Sequence, residues 1–97
     1  MRLSGRLKSI ILESVEDSFG PVDVYLFGSR TNDALRGGDI DIAIGTTMDY
    51  GAFRTGKAQF RTALYRRGLD LKVDLVQYSS DTDSLFKAEI DSSKIKL

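Results

Sequence analysis

Ninety-seven residues leave room for one small domain, so a single domain over residues 1–97 is expected. Lysine plus arginine and aspartate plus glutamate number 14 each, and the resulting zero net charge disfavours a broadly basic nucleic-acid binder and favours association, as a homo- or hetero-oligomer. With no cysteine and no histidine, disulfides, zinc ribbons, thiol chemistry and imidazole catalysis are excluded, leaving carboxylates, hydroxyls, lysine, arginine and hard, oxygen-bound metals.

From about Leu3 to Phe19, residues Leu3, Leu7, Ile10, Ile11 and Val15 recur at helical spacing with charges between them. Gly20-Pro21 ends that helix. The charges within it rule against a signal peptide. No stretch reaches the ~18 apolar residues of a membrane span, and a cytoplasmic location is the expectation. Val22 to Phe27 is β-branched and aromatic and reads as a strand. Gly28-Ser29 cuts it short, and a polar stretch follows to Gly37-Gly38. Asp39 to Ile44 alternates, with aspartates at 39 and 41 and isoleucines at 40, 42 and 44. That period of two predicts a strand with one buried face.

After a loop at 45–51, a second amphipathic helix is predicted from about Tyr50 to Arg67. Its apolar side is read as Phe53, Ala58, Phe60, Ala63 and Leu64, with Gly56 as a weak point and Gly68 as its stop. Leu71 to Gln77 is a third strand. A last helix runs near Ser84 to Asp91, capped by Ser80 or Asp81. These elements predict an α/β (α+β) domain with a small sheet of about three strands and helices packed against it.

Three features carry possible chemistry. Gly28-Ser29 after a strand lets backbone N–H groups and a hydroxyl approach an anion, although a plain turn favours the same residues. Asp39 and Asp41 share one face of a strand, about 6–7 Å apart. Two carboxylates so placed repel, and either divalent cations or bulk solvent must offset that. Asp74 interrupts the third strand in the same way; its neighbours in parity, Asp70 and Lys72, make that face polar whatever its role.

Taken together, LFGSRTNDALRGGDIDIAI at 26–44 joins Gly-Ser to Asp-x-Asp across a spacer of nine residues. This resembles the signature of the DNA polymerase β-like nucleotidyltransferase superfamily, and most of all its minimal, MntA-type antitoxin members. The likeness extends to the leading helix, the Val-Asp-Leu-Val strand at 73–76 and a short closing helix. The resemblance implies the nucleotidyltransferase fold with a mixed sheet. It implies that Gly28 and Ser29 hold a nucleoside triphosphate, with Arg30 reaching a phosphate. It also implies that Asp39, Asp41 and Asp74 ligate two Mg²⁺ and that Asp74 accepts the proton of the attacking hydroxyl. ATP is then the substrate, AMP the transferred group, and the acceptor a hydroxyl of a protein partner, a HEPN-type RNase toxin. A non-catalytic module that inhibits or scaffolds such a partner by docking alone is the alternative. Lys57, Arg61, Arg66 and Arg67 are candidates for a basic face toward a polyanion, against the ordinary reading of a solvated helix face. Tyr50 and Phe53 are candidates for stacking on the base.

Overall fold

The structure, a computed structural model, describes residues 5–28, 40–70, 72–80 and 82–97. Chain order is α1 (Gly5–Phe19), β1 (Asp23–Phe27), β2 (Ile40–Gly45), α2 (Tyr50–Arg66), β3 (Val73–Gln77), α3 (Ser84–Ser93) and β4 (Ile95–Lys96). The sheet is mixed, ordered β3-β2-β1-β4, with β2 and β3 parallel and the other pairs antiparallel. Among the described residues it has four strands, where about three were expected. The extra one, β4, has two residues, too short for any alternation to register in the sequence.

Both faces of the sheet are covered. On one, Val24, Leu26, Ile40, Ile42, Ile44 and Leu75 pack with Ile11 and Val15 of α1 and Phe53, Phe60 and Leu64 of α2. On the other, Phe27 and Ala43 pack against Ile90 of α3, with Tyr25, Val76, Tyr78 and Phe86 around them. The prediction that β2 has one buried face is therefore corrected: Ala43, two residues beyond Asp41 on the same side, is fully buried under α3. Only the start of the second face is polar, and it is there that Asp41 sits.

Two helix readings also change. The apolar side of α2 is Phe53, Gly56, Phe60, Ala63 and Leu64, while Ala58 is exposed. Gly56 is no weak point. A Cβ there would lie 2.4 Å from Phe19 Cε1, so the glycine is what lets α1 and α2 close on each other. The cap of α3 is Asp83, whose carboxylate accepts from the Phe86 N–H at 3.2 Å, and not Ser80 or Asp81; Asp81 itself lies outside the described residues. No helix among the described residues is long and apolar enough to cross a membrane.

Candidate active site

β1 carries Phe27 beside Asp41 of β2, and β2 carries Asp41 beside Asp74 of β3. Residues in register on neighbouring strands point to the same side of the sheet at a strand spacing of about 4.8 Å. The two aspartates therefore stand side by side on the α3 face. Asp41 is half-buried and Asp74 exposed, so one carboxylate is held by its surroundings and the other opens to solvent. Asp41 and Asp74 line a cavity of about 1150 Å³ together with Gly28, Lys72 and the α3 residues Glu89 and Ser93.

Gly28 closes the arrangement. Its φ of +90° is open to glycine and strained for other residues. A Cβ at this position would meet Asp41 Oδ2 at 2.7 Å. The backbone at the end of β1 thus lies directly on the Asp41 carboxylate, which no side chain would permit. The Gly28 N–H donates to Ser93 Oγ at 3.0 Å, tying this turn to the last residue of α3.

The other predicted positions divide clearly. Ser29, Arg30 and Asp39 lie outside the described residues. Among the described residues no group of three carboxylates suited to a metal forms; Asp41 and Asp74 are the predicted ligands that come together. Lys57 and Arg61 reach the same cavity from α2, around the β3 edge of the sheet. Arg66 borders a separate depression. Arg67 pairs with Asp17 Oδ2 at 2.6 Å and Glu13 Oε1 at 3.4 Å; the bond to Asp17 above all raises its pKa, against the opposing cost of burial. The expected basic face is thus split, and only half of it faces the cavity. Phe53 is also removed as a base platform: its ring stacks on Phe19 at 5.4 Å inside the core. Tyr50 is exposed and does not line the cavity.

Sequence reasoning missed the contribution of α3. Its Phe86, Glu89, Ser92 and Ser93 form one wall of the cavity. The helix is fixed there by Ile90 in the core, by the Phe27–Phe86 ring pair at 6.0 Å and by a polar clasp at its C-terminal end. In the clasp, Lys94 Nζ donates to Tyr78 OH at 2.7 Å and to Asp91 Oδ1 at 2.9 Å, and Tyr78 OH donates to Asp91. The Lys94 ammonium also lies over the rings of Tyr78 and Tyr25, at 4.6 and 5.2 Å. The hydrogen bond from Tyr78 and then that from Lys94 hold the Asp91 carboxyl below its usual range. The same contacts, to Tyr78 first and Asp91 second, raise the Lys94 ammonium. Serine and glutamate in a short helix carry no local signal for such a wall. It becomes visible only when β4 folds α3 back along β1.

On the α3 face of this mixed sheet, neighbouring aspartates on parallel strands thus meet a glycine turn that lies against one of them. The chain belongs to the polymerase β nucleotidyltransferase family, whose model matches residues 10–97. It is also similar to a crystal structure of a toxin–antitoxin with AMP-PNP, at a TM-score of 0.68 and 25% identity, over 92% of this chain and 70% of that one. No curated protein matches the chain.

Proposed function

We propose that this protein is a metal-dependent nucleotidyltransferase that moves AMP from ATP onto a hydroxyl of a protein partner, and that it serves as the antitoxin to a toxin of the HEPN RNase type. The observation that carries this reading is the juxtaposition of Asp41, Asp74 and the Gly28 turn on one cavity wall. The similar toxin–antitoxin, with its AMP-PNP, supports an adenine nucleotide and a toxin as partner; the HEPN type rests on the sequence resemblance.

The donor set suits Mg²⁺. The cavity offers carboxylate oxygens on adjacent strands, and the chain has neither histidine nor cysteine to favour a softer ion. Asp41 and Asp74 would hold the metal, with Asp39 joining them by resemblance. Bound there, Mg²⁺ supplies positive charge to the phosphates and to the attacking oxygen. Asp41 is half-buried, with its Oδ2 where a Cβ at position 28 would lie, so the glycine makes room for the carboxylate at the end of β1. The glycine lets phosphate oxygens approach the chain as closely as the carboxylate does. Asp74, open to solvent, takes the proton of the acceptor hydroxyl. The acceptor oxygen bonds to the α-phosphorus, the bond from that phosphorus to the β-phosphate oxygen breaks, and pyrophosphate leaves. Positioning and charge stabilisation do most of the work in such chemistry, so a carboxylate base suffices.

Intact-protein mass spectrometry tests the reading. The chain is expressed with the protein encoded beside it and given Mg²⁺ and ATP, in wild-type and Asp41→Ala form. A partner that gains one or more AMP units with wild type alone is the expected result. A stable complex with no mass gain in either case would leave a module that acts by docking.

A further inference from the structure

We infer that Ser93 is a positioning residue of the nucleotide site, holding the Gly28 turn over Asp41 through its hydroxyl; the inference rests on the nucleotidyl-transfer reading above. Its basis is the register of β4 on β1. Leu26 lies opposite Ile95 and Tyr25 opposite Lys96, and the Leu97 N–H donates to the Val24 carbonyl at 2.8 Å. In an antiparallel pair, hydrogen-bonded positions recur every second residue. Continuing from Val24–Leu97 through Leu26–Ile95, the next such pair is Gly28 with Ser93. Ser93 is still helical, however, and its main chain belongs to α3. Its side chain takes over the ladder position, and Oγ accepts the Gly28 N–H at 3.0 Å.

The bond is placed where it matters for the site. Gly28 adopts φ +90°, and its Cα faces Asp41 Oδ2 so closely that a methyl group would collide. Rotating this peptide moves the backbone against the carboxylate. The hydroxyl that restrains it is itself well fixed. Ser93 follows Ile90, which is fully buried, and precedes Lys94, which is clasped by Tyr78 and Asp91. Ser93 also lines the cavity that contains both aspartates. The end of α3 therefore sets the geometry of a turn 65 residues earlier in the chain.

The test compares wild type, Ser93→Ala, Ser93→Thr and Asp41→Ala. Affinity for AMP-PNP with Mg²⁺ is measured by calorimetry, and thermal unfolding is followed without ligand. Ser93→Ala is expected to weaken nucleotide binding by roughly five- to tenfold, the scale of one hydrogen bond. Ser93→Thr keeps the hydroxyl and restores binding to near the wild-type value. Equal affinity in wild type and Ser93→Ala would overturn the proposal, as would a loss that Thr fails to rescue. Wild type that binds no more nucleotide than Asp41→Ala would overturn the nucleotidyl-transfer reading, and this inference with it.

Discussion

At the scale of single residues, two side-chain environments make opposite predictions. Gly28 combines a backbone angle reserved for glycine with a carboxylate oxygen where a Cβ would go. Gly28→Ala should cost about 1–2 kcal/mol from the left-handed conformation alone, and the displaced Asp41 should lose Mg²⁺-dependent nucleotide binding. Denaturant unfolding and calorimetry read the two effects separately. Ser14 is the converse case. It is fully buried in α1, and its Oγ has no hydrogen-bond partner among the described residues. Removing an unsatisfied hydroxyl from a helix relieves its desolvation and improves helix propensity. Ser14→Ala should therefore stabilise the fold by roughly 1 kcal/mol, seen as a higher urea midpoint at constant m-value. The sequence pointed to Gly28, Asp41 and Asp74 because aspartate in an apolar strand and glycine at its end are locally anomalous. Ser93 is not anomalous anywhere in its helix, and only a register continued across β1 and β4 reveals it.

At the scale of elements, α1 meets α2 through Phe19 and Gly56. Alanine at 56 would gain about 1 kcal/mol in helix propensity, but it would drive the Phe19 ring off its stack with Phe53 at a cost of about 1–3 kcal/mol. Overpacking wins, so Gly56→Ala should destabilise. In a Phe19→Ala background the same change should become favourable, a sign reversal that a double-mutant cycle measures. The α3 clasp gives a pH signature. Because the folded Asp91 pKa lies below its unfolded value, its stabilisation is complete above about pH 4 and is lost as pH falls through the folded value. Asp91→Asn should therefore flatten the acid limb of a stability–pH profile while leaving its slope between pH 6 and 8 unchanged. α1, α2 and β2 were legible because their periodicities run for whole elements, β1 because it is β-branched and aromatic between turn residues, and α3 only roughly, from the capping residues before it. The cap of α3 was not, since Ser80, Asp81, Thr82 and Asp83 are all capable residue types in succession, and the structure shows the capping hydrogen bond at Asp83. Ala58 was misplaced because alanine suits either side of a helix, whereas the packed side follows Phe53, Phe60 and Leu64.

At the scale of the whole molecule, one sheet carries a large apolar cluster under α1 and α2 and a small one under α3. The candidate site lies on the thinner side, where α3 is the only helix among the described residues. A ligand that binds both Asp41 and Asp74 cross-links β2 to β3 and should raise the stability of the whole fold. With Mg·AMP-PNP at about 100 times its Kd, the gain should be about 2.7 kcal/mol, or some 10–20 °C in Tm for a domain of this size. A chelator should abolish the shift, and Asp41→Asn should show none. The shortness of β4 has a different significance. β1 is five residues of β-prone sequence, and without β4 its free hydrogen-bonding row would offer a template to any extended chain. Two residues suffice to occupy the middle of that row, and the lysines on either side of Ile95 are tied back to the fold, Lys94 to Asp91 at 2.9 Å and Lys96 to Asp23 at 3.4 Å. A segment that contributes almost nothing to the core thus covers the hydrogen-bonding row of β1, leaving β3 as the other edge of the sheet.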